Sequence, residues 1–213
     1  MARPRVGVLA LQGDFAAHEA ALGRLGYRVH EVRTREELWR ADGLVLPGGE
    51  STTLLKLLHE FDLWDELQGF ARTGRALLCT CAGLILAAER VTNPEQESLG
   101  ILPVEVKRNA YGRQVDSFVA SGRVVVPEDL APLSVLSGDG RVFETEFVFI
   151  RAPVVTKVGE GVEVLARFRG DPILVRRGNV LGATFHPELA RDSGVIGIFA
   201  AMVEQSASGS KVP

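Results

Sequence analysis

Cysteine is scarce. The 213 residues include two, Cys79 and Cys81, two positions apart. A bond between them would close a strained, tiny ring, which argues against a structural disulfide. Two thiols with no second pair and no His cluster cannot complete a tetrahedral zinc site, so no metal is expected. No cofactor is expected either. Basic charge is not in excess either: 24 Lys and Arg stand against 27 Asp and Glu, a formal charge of −3, with no basic block. That balance leaves no nucleic-acid footprint. Only four of the basic residues are Lys, a bias that carries no functional reading. Long apolar runs are missing too. The longest mostly apolar stretch, Ala76 to Ala88, falls short of the roughly 20 residues that span a bilayer. Near the start, Arg3 and Arg5 precede an apolar run from Val6 to Leu11. Gln12-Gly13-Asp14 cuts it short and no cleavage-like segment follows, a poor fit to a secretory signal. Composition therefore points to a soluble cytoplasmic protein.

What is present suits one α/β domain of about 200 residues, large enough to bury a core unaided. Apolar residues make up 46% of the chain and charged residues 24%. Short apolar runs at Arg5 to Leu11, Tyr27 to Val32, Gly43 to Leu46 and Ala76 to Thr80 read as buried strands. Helical spacing fills the intervals: Asp14 to Leu25, Ser51 to Arg72 in two pieces, and Ala82 to Glu89. Such alternation predicts a parallel sheet with helices on both faces, a three-layer arrangement. Beyond Leu102 the pattern changes. Pro103 to Arg108, Phe147 to Ile150, Val162 to Phe168, Ile173 to Arg176 and Val180 to Phe185 read as strands. Most alternate apolar with polar residues, as antiparallel pairing with one wet face requires, so the sheet is mixed. The polar stretch Pro127 to Glu146, with a turn at Ser137-Gly138-Asp139-Gly140, reads as a surface excursion. Ile196 to Val203 reads as a closing helix. The domain is expected over residues 1–205, with a disordered tail over 206–213. No repeat or linker divides the chain.

Ligands of parallel α/β sheets collect beyond the carboxyl ends of the strands, and three such ends carry unusual residues. In Cys79-Thr80-Cys81-Ala82-Gly83 a buried strand meets a helix in the form of a nucleophile elbow. Cys81 sits at the apex, and the helix start favours its thiolate. An unactivated thiol, pKa about 8.5, is only a few per cent ionised at pH 7. The bland alternative, a buried apolar cysteine, stays open for Cys81 alone and is the better reading of Cys79. In Phe185-His186-Pro187-Glu188, an extended chain would point His186 and Glu188 the same way, letting the carboxylate orient the imidazole. Such pairs are also common on surfaces. His18, His30 and His59 show no ligand pattern. In Pro47-Gly48-Gly49-Glu50-Ser51, paired glycines allow close backbone approach to a ligand, although most Gly-Gly turns are only turns. Together the three make one machine: Cys81 attacks a carbonyl carbon, His186 shuttles the proton and Glu188 orients His186. The N–H groups of Gly49 and Ala82 form the oxyanion hole.

Cys81 in T-C-A-G-L, with His186-Pro187-Glu188 about a hundred residues on, resembles the triad (class I) glutamine amidotransferases. Further blocks narrow the likeness. They are Gly7 to Gly13, Leu46 to Thr53, Arg108-Asn109 with Tyr111 to Phe118, and Phe149-Ile150-Arg151-Ala152-Pro153. With these the chain is similar to the glutaminase subunits of pyridoxal 5'-phosphate synthases. The resemblance implies a flavodoxin-like fold and hydrolysis of L-glutamine to glutamate and ammonia. It also implies a synthase subunit as partner, in a hetero-oligomeric complex that makes pyridoxal 5'-phosphate. By matching motif, Cys81, His186 and Glu188 are its triad, and Gly49, Glu50, Ser51, Arg108, Ile150 and Arg151 its glutamine-contacting positions. A zwitterionic substrate suits a site with both a cation and an acceptor. Spacing alone would make Arg108 a solvated strand-end charge. Gln12 is assigned to the partner interface. Two departures stand out: Cys79 replaces the family's usual Gly, and the stretch between Phe118 and Phe149 is longer than usual. Open alternatives are the glutaminase of another pathway, such as imidazole-glycerol-phosphate synthesis, a non-catalytic regulatory module, and a thiol hydrolase on a similar fold.

Overall fold

The computed structural model describes residues 3–108, 117–130, 141–192 and 194–209. Its centre is a seven-stranded sheet. In chain order the strands are β1 (Arg5–Leu9), β2 (Arg28–Val32), β3 (Gly43–Leu46), β4 (Ala76–Thr80), β10 (Glu163–Phe168), β11 (Asp171–Arg177) and β12 (Val180–Ala183). Their spatial order is β10-β11-β12-β4-β3-β1-β2. The run from β12 to β2 is parallel, and β10, β11 and β12 pair antiparallel. This is the mixed, mostly parallel sheet that the sequence predicts.

Side chains alternate across the sheet with period two, and both faces are apolar because both are covered. Val6, Val8, Val45, Leu78 and Leu181 face one cluster, which takes in Leu22 of α1 (Phe15–Arg24) and Phe199 of α6 (Gly194–Gly209). Leu44, Leu46, Leu77 and Cys79 face the other. It is closed by Leu38 of α2 (Arg35–Trp39), Leu54 and Leu58 of α3 (Ser51–Glu60), Phe70 of α4 (Trp64–Arg72) and Leu84 of α5 (Ala82–Ala87). Three layers result. Among the described residues no helix is long and apolar enough to cross a membrane.

Two smaller sheets flank this frame. One orders β5 (Ala88–Thr92), β6 (Leu102–Lys107) and β9 (Val154–Val158), and the other pairs β7 (Phe118–Val125) with β8 (Val142–Phe149). Here the structure departs from expectation. The helix expected to reach Glu89 stops at Ala87, and the chain turns at once into β5, parallel to β6. Residues 142–146, expected in a surface excursion, form the first half of β8, in continuous register with β7 from Val142↔Val125 to Phe149↔Phe118. Glu144 and Glu146 alternate with Phe143, Thr145 and Phe147, so one face is wet and the charges disguise the strand. The turn expected at Ser137 to Gly140 lies outside the described residues, as does the block Tyr111 to Asp116. Helix α6 runs to Gly209, past the expected boundary at residue 205, and residues 210–213 lie outside the described set.

Close approach of α5 to the sheet depends on Gly83, where an added Cβ would lie 2.0 Å from the carbonyl oxygen of Leu46. Backbone cannot yield cheaply there. Gly83→Ala is expected to cost about 3 kcal/mol, through overpacking. Gly23→Ala, on an open face of α1 with no atom within 4 Å of the new Cβ, should add roughly 0.5–1 kcal/mol. Urea midpoints of the two variants check both signs.

Candidate active site

Strands β3, β4 and β12 lie side by side and end level. Leu46 pairs with Cys79, and Ala183 with Thr80. The segments that follow them, residues 47–51, Cys81 and residues 184–188, therefore leave the sheet at one edge. Cys81 occupies a left-handed backbone conformation, φ 48° and ψ −103°, that side chains rarely adopt. Its N–H donates to the Ala183 carbonyl at 2.9 Å, and α5 begins at the next residue. This is the sharp strand-to-helix turn expected of the elbow. Gly48 sets how closely the three segments converge. A Cβ there would fall 2.4 Å from His186 Cε1 and 3.3 Å from Cys81 Cβ.

His186 and Glu188 meet, though not through an extended chain. His186 caps a single 3-10 turn, Pro187–Leu189, which carries the carboxylate back under the ring. Nδ1 of His186 lies 2.7 Å from Oε1 of Glu188, with both side chains buried. The His186 N–H is held by the Val148 carbonyl at 2.9 Å. Burial opposes charging this imidazole, but its hydrogen bonds to Cys81 and Glu188 and the charges of both outweigh burial, so His186 titrates well above its ordinary value. Burial likewise opposes charging Glu188. Attraction to His18, then the hydrogen bond and charge of His186, overcome it and hold the carboxyl at about 2.

A cleft of about 260 Å³ opens over this edge. Cys81, His186, Gly49, Glu50, Ser51, Arg108, Ile150, Arg151 and Gln12 all line it. Ala82 and Glu188 do not line it: Ala82 follows Cys81 as the first residue of α5, and Glu188 contacts His186. Cys81 Sγ stands 3.8 Å from the Ile150 carbonyl oxygen. Arg108 is buried, not a solvated strand end, and its guanidinium lies 3.7 Å from Glu50 Oε1. Glu50 has a structural task as well: its carboxylate caps α3, accepting the Thr53 N–H at 2.6 Å and the Thr52 hydroxyl. Against the desolvation that would raise it, these bonds hold Glu50 at about 2. Among the described residues no hydrogen bond uses the N–H of Gly49 or of Ala82. Gln12 turns inward, where its Oε1 accepts the Glu50 N–H at 2.9 Å and rests against Gly49. Cys79 is buried among Leu46 and Leu84 on the α3–α5 face, where burial pushes its thiol up. No group of three or more His, Cys, Asp or Glu among the described residues is placed to hold a metal ion.

Sequence reasoning missed a second layer. His18 Nε2 lies 3.3 Å from Glu188 Oε2 and 3.2 Å from Thr80 Oγ1. Gln96 Oε1 accepts the Ser51 hydroxyl at 3.1 Å, and Asn93 Nδ2 donates to the Arg108 carbonyl at 3.0 Å. The available signal for His18 was its place on the apolar stripe of α1, where an imidazole needs a buried partner.

Fold and cleft together define a class I glutamine amidotransferase domain. The chain belongs to the SNO glutamine amidotransferase family, whose model matches residues 8–205. It is 51% identical over 195 residues to the pyridoxal 5'-phosphate synthase subunit PdxT of Solibacter usitatus, covering 92% of this chain and 97% of that one. Identity to the Thermus thermophilus protein of the same name is also 51%, over 88% of this chain and 91% of that one. A crystal structure of a glutamine amidotransferase superposes with TM-score 0.80 at 46% identity, covering 93% of this chain and 98% of the other. At 19% identity, PurLQS from Thermotoga maritima shares the fold, with TM-score 0.69 over 98% of this chain and 99% of that one.

The shifts of the buried pair predict how stability depends on pH. Glu188, depressed from 4.5, stabilises the folded chain above that ordinary value and loses its contribution as pH falls towards about 2. His186, raised from 6.5, contributes fully below 6.5 and loses its share as pH climbs through the higher folded value. Both contributions are complete between about 4.5 and 6.5. Glu188→Gln is therefore expected to lose roughly 2 kcal/mol at pH 6, a deficit that shrinks below about 4.5 as the unfolded wild-type chain takes up the proton that the folded carboxylate refuses. Urea unfolding at pH 6 and pH 3 measures the change.

Proposed function

We propose that the chain is the glutaminase subunit of a pyridoxal 5'-phosphate synthase, acting in the cytoplasm with a synthase subunit in a hetero-oligomeric complex. In this reading Cys81, His186 and Glu188 are the catalytic triad. One observation carries it: the thiol at a strained elbow, an imidazole in contact with that thiol, and a carboxylate 2.7 Å behind the imidazole line up at a single cleft. Relatives covering nearly the whole chain, and named as subunits of that synthase, support the pathway.

The Cys81 thiolate attacks the carboxamide carbon of glutamine, and the carbonyl oxygen becomes an oxyanion facing the free N–H groups of Gly49 and Ala82. As the C–N bond breaks, the imidazolium of His186 gives its proton to the departing nitrogen. Ammonia leaves and a glutamyl thioester remains on Cys81. His186, now neutral, takes a proton from water. The hydroxide attacks the thioester, glutamate departs, and thiolate and imidazolium are restored. Glu188 stays ionised throughout and stabilises the imidazolium. Arg108 and Arg151 supply cations for the substrate's α-carboxylate, Glu50 an acceptor for its α-ammonium, and Ser51 and the Ile150 carbonyl further polar contacts. Gln12, braced against the Gly49–Glu50 peptide, belongs in this reading to the interface with the synthase subunit.

Cys81→Ala should lower glutamine hydrolysis by at least roughly 10⁴-fold while the chain still folds and docks with the synthase subunit. Glu188→Gln should lose less than Cys81→Ala. Ammonia and glutamate release, assayed with and without the synthase subunit, tests the pathway together with the chemistry. Activity that rises with that subunit supports both. Activity indifferent to it moves the chain to another pathway. Wild-type rates in Cys81→Ala overturn the mechanism, and a wild-type chain that leaves glutamine untouched in both assays points to the regulatory module.

A further inference from the structure

The polar chain behind the cleft does not stop at Glu188. One carboxylate oxygen, Oε1, faces His186; the other, Oε2, is buried and takes no well-aligned hydrogen bond among the described residues. Nε2 of His18, completely buried on α1, lies 3.3 Å from it. The same nitrogen lies 3.2 Å from Oγ1 of Thr80, the residue that precedes Cys81. The other ring nitrogen of His18, Nδ1, is buried without a partner. That asymmetry assigns the tautomer. With the proton on Nε2, the ring points its N–H between Thr80 and the carboxylate and leaves only a bare acceptor at Nδ1. With the proton on Nδ1, a buried donor would go unmet and a lone pair would face a carboxylate, which costs more on both counts.

We propose that His18 is a positioning residue for the triad, its Nε2–H holding the second oxygen of Glu188 so that the first is presented to His186 in one orientation. The inference rests on the glutaminase reading of the site. Packing alone does not account for an imidazole here. The neighbouring stripe of α1, with Leu22 buried and Phe15 and Leu25 partly so, is apolar, and a leucine would fill the position with no unmet nitrogen. It would, however, leave Oε2 of an ionised, buried carboxylate with nothing to face. The titratable groups that face Glu188 are His18, from α1, and His186, from its own turn; those that face His186 are Glu188 and Cys81 at the elbow. The contacts thus form a closed circuit, from Cys81 through His186, Glu188 and His18 to Thr80 and back along the chain to Cys81.

Two variants of equal polarity separate positioning from packing. The amide of Gln reaches about as far as Nε2 of His, whereas that of Asn stops near the level of Nδ1. In His18→Asn, kcat for glutamine is expected to fall about 10- to 100-fold, the loss of one hydrogen bond to a charged group, with KM changed less than about twofold. The acid limb of its pH–rate profile should move up by about one unit, because Glu188 loses a group that favours its ionised form. His18→Gln should recover most of the rate and of the profile. Alkylation of Cys81 by iodoacetamide in the chain alone should follow the same order, slow in Asn and near wild type in Gln. Equal behaviour of the two variants, whether both active or both impaired, overturns the inference. The alkylation arm needs no glutamine, so a chain that leaves glutamine untouched yet shows the Asn–Gln difference would overturn the glutaminase reading and keep the role of His18.

Discussion

Everything at the cleft hangs on one backbone conformation, that of Cys81. A φ of 48° costs on the order of 1–3 kcal/mol for a residue with a side chain, so it persists only where the surroundings over-determine it. Three do so here. The N–H is tied to the Ala183 carbonyl on the neighbouring strand, α5 starts at once on the far side, and Gly83 lets that helix lie against the Leu46 carbonyl. The parallel register of β3, β4 and β12 is what delivers those restraints together. A slip of one residue between β4 and β12 would turn His186 away from the thiol.

Charge organises the groups behind the same site. A buried carboxylate is unfavourable unless its oxygens are met. Glu188 is met on both sides by imidazoles, and Thr80 connects the rear one to the strand that carries Cys81. Glu50 shows the same economy at the other wall of the cleft. One carboxylate caps α3, faces Arg108 and fixes the entry of the loop that holds Gly49. Site and scaffold share side chains here, so the cleft is preformed by folding.

The layered frame and the residues of the cleft were legible in the sequence for a common reason. Buried parallel strands leave uninterrupted apolar runs, and the chemistry sits at their carboxyl ends, so Cys81, His186 and the residues from Gly48 to Ser51 stood where the strands stopped. Glu188 was legible as a partner of His186, but the 3-10 turn that joins them was not, because Pro187 suits an extended chain as well as a helical first position. His18 was hidden by its helix: a lone imidazole on an apolar stripe shows nothing of a carboxylate 170 residues away in the chain. Strand β7 and the first half of β8 were hidden by their wet face, where Arg123, Glu144 and Glu146 interrupt any apolar run. Gln12 was assigned to the partner interface from its loop alone; that its amide closes on the Glu50 N–H has no signal in the sequence.

The central claim is that this edge of the sheet makes Cys81, and not its neighbour Cys79, the covalent carrier of the glutamyl group. Acid quenching of the wild-type chain and synthase subunit during turnover of glutamine, followed by peptide mass analysis, tests it directly. The account predicts a glutamyl adduct on Cys81, absent when glutamine is withheld, and none on the buried Cys79. An adduct on Cys79, or steady glutamate release with neither cysteine acylated at any quench time, would contradict it.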